Sequence, residues 1–197
     1  EVIAIEPERR NLSFLRHNVA EWSKTEKIAA ISVMDCAAAD FEGEISLYIP
    51  LAMSSNRGLA SIIHDGQAIE QQSVRAARLS SILSDLSQID ILKIDVEGAE
   101  DRVLDGYATE LENDRVKVIV AEEHRPLPSP MTLRLSKCGY TVFSLLPTFS
   151  GPVLISADKT GLRPPDQPTN IVAVRDYQNS QAILARPGWE CLRAPKL

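Results

Sequence analysis

The sequence predicts an α/β fold, a mostly parallel sheet with helices on both faces. Three observations carry that expectation. Short β-branched runs alternate along the chain with stretches whose apolar residues recur at helical spacing. Successive strand-like runs end directly in acids: Glu6, Asp35, Asp95 with Glu97, and Glu122 with His124. At Gly98 a run of Ile89, Ile91, Leu92 and Ile94 gives way to Val103, Leu104, Tyr107 and Leu111, which is how a strand turns into a helix in such folds.

Val2, Ile3, Ala4 and Ile5 read as a strand that stops at Glu6-Pro7, where proline removes a backbone donor. A helix follows, with Leu12, Leu15, Val19 and Trp22 on its core face and Glu8, Arg9, Arg16 and Glu21 left for solvent. Ile28 to Val33 reads as a second strand ending at Asp35-Cys36, and Glu44 to Ile49 as a further strand after the Glu42-Gly43 turn. Residues 50 to 75 have little periodicity and read as a long loop, the kind that often carries function. Leu79, Ile82, Leu83 and Leu86 mark a helix before the Ile89 strand.

The helix after Gly98 should run to about Asn113, and Val116 to Ala121 should be a buried strand. A helix from Pro130 to Cys138, a stop at Gly139 and a strand from Tyr140 to Leu146 come next. Residues 147 to 168, rich in proline, read as an irregular excursion, and Asn170 to Val174 as a last strand. A single domain over residues 1 to 177 is expected, with a polar tail from 178 to 197.

Composition limits the functions available. The net charge of -6 argues against nucleic acid as an obligatory partner, because phosphate binding relies on clustered Lys and Arg. No apolar stretch approaches the roughly 20 residues of a membrane span. Cys36, Cys138 and Cys191 are widely spaced and odd in number, the pattern of reduced cytoplasmic thiols rather than of disulfides or zinc. Oligomeric state is not readable from the sequence.

The most informative segment is Lys93-Ile-Asp-Val-Glu-Gly-Ala-Glu100. Alternation sets Lys93, Asp95 and Glu97 on one side, at the carboxyl end of a strand where open α/β sheets bind ligands. Glu97-x-x-Glu100 also has the spacing of a helix capping box, and Lys93 can neutralise the nearby carboxylates. Glu6 equally suits the start of a helix, and Cys36 a small buried filler.

Together with Glu6-Pro7, Ala37 and Gly43, Val103-Leu104-x-Gly106 and Glu122-x-His124, this segment resembles the FkbM family of methyltransferases from residue 1 to about residue 146. The resemblance implies a Rossmann-like class I methyltransferase fold using S-adenosylmethionine to methylate a hydroxyl on a small molecule or sugar. It implies that Glu6 accepts hydrogen bonds from the cofactor ribose and that Asp35 and Cys36 lie near its adenine. Asp95 would stand beside the methionine moiety or the acceptor, and Glu97, Glu122 and His124 would line the acceptor side. His124 is the natural proton acceptor, since imidazole titrates near neutrality.

Ser80 stands where family members usually carry aspartate. The glycine-rich strand and loop that ordinarily precede the Glu6 strand are not in this sequence, and the unpaired edges left by their loss predict a part of a longer polypeptide, truncated at its N-terminus. Two other functions fit the same acids. One is a methyltransferase-like module that binds without catalysing; the other is a divalent-metal enzyme using Asp95, Glu97, Glu122 and His124.

Overall fold

The structure is a computed structural model that describes residues 1–24, 28–50, 60–63, 69–148, 151–158 and 169–178. Two compact units form, Glu1–Asp85 with Val96–Ala108, and Leu86–Asp95 with Thr109–Leu197.

In the first unit, β1 (Val2–Ile5) pairs in parallel with β2 (Ile31–Met34). The helix α1 (Arg9–Trp22) connects them and packs against β2. A second sheet has the order β3-β5-β4, built from β3 (Ala37–Ala39), β4 (Gly43–Pro50) and β5 (Ile69–Arg78). Its core is Ala37, Leu47 and Val74, with Ile45, Ala60 and Ile62 packed against them. A fully buried Leu such as Leu47 contributes on the order of 1.5–3 kcal/mol by leaving water.

The helices α2 (Leu79–Ile82) and α3 (Glu100–Asp105) complete this unit, α2 against β5 and α3 against β3. The α3 end comes so near β3 that a Cβ at Gly106 would sit 2.1 Å from the Ala39 carbonyl oxygen. Only glycine allows that approach.

The second unit is a five-stranded sheet in the order β6-β7-β10-β8-β9. Its strands are β6 (Ile89–Ile94), β7 (Val116–Glu123), β8 (Thr141–Thr148), β9 (Gly151–Ser156) and β10 (Thr169–Val174). Phe143, Val172 and Val174 form a core cluster with Val118, Leu145 and Leu154. The helix α4 (Ala108–Glu112), all but its first residue, belongs here, and α5 (Pro130–Lys137) packs on β8.

Several expectations need correction. The sheets are mixed rather than mostly parallel: β1–β2, β3–β5 and β6–β7 are parallel, whereas β4–β5, β7–β10, β10–β8 and β8–β9 are antiparallel. Only residues 149 and 150 separate β8 from β9, and so short a link can join strands only in antiparallel fashion. That hairpin also replaces part of the irregular excursion expected at 147–168, of which 149–150 and 159–168 lie outside the described residues.

The loop expected over 50–75 gives up residues 69–75 to β5 and Pro50 to β4, while 51–59 and 64–68 lie outside the described residues. Within α1, Leu12 is buried, but Trp22 is 46% exposed and is not core packing. Glu8, expected in solvent, is buried instead. The Leu79 helix closes after one turn, because Leu83 leaves helical geometry at φ -108° and ψ 20°. The helix expected up to Asn113 divides at Gly106-Tyr107, although Val103, Leu104, Tyr107 and Leu111 are all buried as their spacing predicts. Ile91 is 66% exposed, so β6 is not covered along both faces. The tail from 179 onward, Cys191 included, lies outside the described residues.

Candidate functional site at the strand ends

Parallel pairing brings the carboxyl ends of neighbouring strands together. In the first unit Ile5 is in register with Met34, which sets Glu6 beside Asp35, and the Glu6 amide donates to the Met34 carbonyl at 3.1 Å. Glu6 Oε1 accepts from the Glu8 amide at 2.8 Å. Burial raises the Glu6 pKa above its ordinary 4.5, the Glu8 charge adds to the rise, and the Glu8 amide offsets part of it.

The capping of α1 falls to Glu8, whose Oε2 accepts from the Asn11 amide at 2.8 Å and whose Oε1 accepts from Gln72 Nε2 at 3.0 Å. Asp35 is exposed and accepts from Arg16 at 3.2 Å. Cys36 is 3% exposed, and burial above all pushes its thiol pKa up, with Arg75 opposing and Asp35 and Glu42 reinforcing. A protonated thiol in that setting behaves as a small apolar filler.

The same logic operates in the second unit. Ile94 is in register with Ala121, so Asp95 and Glu122 follow at adjacent strand ends. Lys93 Nζ forms an ion pair with Asp95 Oδ2. The pair is exposed, so solvent weakens it. At the end of β7, Glu122 Oε2 lies 3.7 Å from His124 Nε2.

Strand alternation does not extend to Glu97, because β6 ends at Ile94. Glu97 lies in the turn of the first unit with φ 52°, and its carbonyl oxygen accepts from Ser61 Oγ at 2.9 Å. The expected capping box does not form, since the helix begins at Glu100 and puts Ala99, which has no side-chain acceptor, at the N-cap position. Glu100 is buried and folds back, its Oε1 accepting from the amides of Val96 and Gly98 at 3.2 Å each. Gly98, at φ 95°, makes the turn that its place in the sequence predicts.

Between Glu122 and His124 stands Glu123, which the sequence reading passed over. It is 2% exposed and accepts from Arg125 and Ser129. The signal available was Ser129 before Pro130, a helix-start pair that gives α5 its capping box with Thr132.

Among the described residues, no group of three or more His, Cys, Asp or Glu side chains is placed to hold a metal ion. No described helix is long and apolar enough to cross a membrane. The second unit also has an open cleft of about 280 Å³ lined by Thr132, Ser136, Tyr140 and Asp158 among others, and none of the residues predicted as site residues lines it.

Strand-end acids on parallel pairs, with a histidine among them, are what small-molecule α/β enzymes use to bind and orient ligands. The family model described as the Methyltransferase FkbM domain matches residues 1–142, and the chain belongs to the FkbM methyltransferase family. A solved structure described as Methyltransferase FkbM from Methylobacillus flagellatus KT is similar with a TM-score of 0.53 at 17% sequence identity, a likeness of fold. The similarity covers 88% of this chain and 36% of that one, so the chain spans little more than a third of that protein's length. A search of curated proteins finds no match.

Proposed function

We propose that the protein is an S-adenosylmethionine-dependent methyltransferase that methylates a hydroxyl of a small molecule or sugar, on a Rossmann-like arrangement of strand ends. The observation that carries this reading, beyond the family itself, is the Glu122–His124 pair at 3.7 Å beside the strand end that bears Asp95. The cofactor, when bound, supplies a methyl group on a sulfonium.

The residues fit such a group. Glu6 is a carboxylate whose desolvation is not fully offset by its own donors, and ribose hydroxyls are donors of the kind it lacks. Asp35, which follows the register partner of Ile5, orients the same end of the cofactor, with Cys36 as packing. His124 takes the proton from the acceptor hydroxyl, and Glu122 stabilises the imidazolium that results. Asp95, held by Lys93, orients the acceptor.

The test is a methyl-transfer assay with labelled cofactor over a panel of hydroxylated small molecules, paired with calorimetry. Glu6→Ala should weaken cofactor binding, and His124→Ala should lower turnover while leaving cofactor binding intact. Wild-type cofactor affinity in Glu6→Ala would count against the ribose assignment.

A further inference from the structure

The carboxylate of Glu123 is 2% exposed and unused by the chemistry above. Its two oxygens take four donors: Arg125 N at 2.9 Å and Arg125 Nε at 2.8 Å on Oε1, Arg125 Nη2 at 3.0 Å and Ser129 Oγ on Oε2. Burial pushes the Glu123 pKa up, but the hydrogen bonds from Arg125 and Ser129 outweigh it, and the net shift is downward. The group is a carboxylate at neutral pH.

What it binds matters more than that it is bound. Arg125 follows His124 directly, and Ser129 is the N-cap of α5, accepting from Thr132 N at 3.2 Å while Thr132 Oγ1 accepts from Ser129 N at 2.9 Å. The segment 124–128 is thereby tied at both ends to one buried side chain. On β7 successive side chains alternate, so Glu123 turns inward beside Thr169 while Glu122 takes the other face. We propose that Glu123 is a positioning residue: by gripping Arg125 and Ser129 on the buried face it holds His124 against Glu122 on the other. This rests on the reading of His124 as the proton acceptor.

The choice of a charged group supports the argument. An apolar residue would fill the same space without the desolvation cost, but it would not fix the direction in which the chain leaves β7. Bidentate geometry to Arg125 adds orientation to attraction. A residue that must be aimed, such as a general base, gains from that, because misplacement by about 1 Å can cost around a hundredfold in rate.

The proposal is tested with Glu123→Gln, which keeps size and shape, examined by cofactor calorimetry, steady-state kinetics and NMR of the His124 ring. Expected are cooperative melting, unchanged cofactor affinity, a kcat reduced roughly ten- to a hundredfold, and a His124 ring signal broadened by rotamer averaging. Combined with His124→Ala, the same substitution should produce no further loss, because a residue acting through His124 has nothing left to act on.

Additive losses in that pair, or a His124 ring as ordered as in the wild type, would overturn the proposal. If Glu123→Gln fails to fold, Arg125→Met, which leaves the carboxylate on Ser129, is read by the same measurements. A wild-type protein that transfers no methyl group to any acceptor would sink the proposed function alone, and the order of the His124 ring would still decide whether Glu123 holds it.

Discussion

The guanidinium of Arg175 lies 3.9 Å from the centre of the Tyr140 ring, stacked against it just beyond the end of β10. From there it donates to the carbonyl oxygens of Leu111 and Cys138, at the C-terminal ends of α4 and α5, and pairs with Asp114 at 2.8 Å. Tyr140 completes the arrangement by donating its hydroxyl to the Val116 carbonyl at 2.8 Å. The last carbonyls of a helix lack partners within it and favour a cation. Arg175 serves two such ends at once.

Arg175→Lys should therefore not be conservative. A lysine keeps the charge but loses the planar fork that reaches both carbonyls and stacks on the ring. Two hydrogen bonds to a charged group are at stake, and a loss of about 2–4 kcal/mol is expected. Denaturant unfolding checks it; a midpoint unchanged from the wild type would mean that the stack and the fork contribute nothing net.

Gly106→Ala tests the approach of α3 to β3 in the other unit. The backbone at Gly106 is helical, with φ -68°, so an alanine meets no conformational objection there. The objection is steric, for its Cβ would lie 2.1 Å from the Ala39 carbonyl oxygen, a backbone atom that cannot rotate away. Destabilisation by about 1–3 kcal/mol is expected from the forced separation. Thermal melting shows it, and an unchanged melting temperature would mean that the gap opens without cost.

That glycine was visible in the sequence as part of Val103-Leu104-x-Gly106, as were the strand ends at Glu6, Asp35, Asp95 and Glu122. Periodicity works where a segment is apolar on one side, and α1, β6, β7, α5 and β10 all have such a side. It fails for β3 and β5, which meet through Ala37 with Ala76 and Ala38 with Ala77. Alanine has little β-propensity, and Ile69 and Val74 are the only β-branched residues of β5, set among glutamate, glutamine, serine and arginine, so little local marks a strand. Its order comes from its partners. The prolines of the β8–β9 hairpin misled in the opposite direction, since Pro147 and Pro152 face each other in an antiparallel pair.

Near the end of β7 the Glu122 and His124 side chains lie 3.7 Å apart, on the side that alternation predicts, but alternation had no means of finding Glu123. A buried glutamate is recognisable only through its partners, and Ser129 lies beyond the turn.

Glu123 also makes stability depend on pH in a fixed direction. Its folded pKa lies below the ordinary 4.5, so the unfolded chain binds the proton more tightly and stability rises with pH across that interval. The contribution is complete above about pH 4.5 and is lost as the pH falls through the lower folded value. Wild-type unfolding free energy should fall on acidification through this window more steeply than that of Glu123→Gln, which has no proton to gain. Parallel curves for the two proteins would show that the Arg125 and Ser129 bonds do not favour the charged form.

Glu97 offers the clearest separation of folding from chemistry. At φ 52° it occupies the left-handed region, which costs a residue with a Cβ roughly 1–2 kcal/mol and glycine almost nothing. Its carbonyl bond from Ser61 depends on the backbone and survives any side chain. Glu97→Gly should thus stabilise the protein by up to about 1 kcal/mol, the gain being limited by the extra freedom of glycine in the unfolded chain. Glu97→Ala keeps the strain and removes the carboxylate, so it should show no such gain. If the strain is retained because the carboxylate works on the acceptor, both variants should lose methyl transfer to a similar degree while only the glycine variant melts higher. A glycine variant that is both more stable and fully active would instead remove Glu97 from the site, leaving it a turn residue that evolution had not replaced.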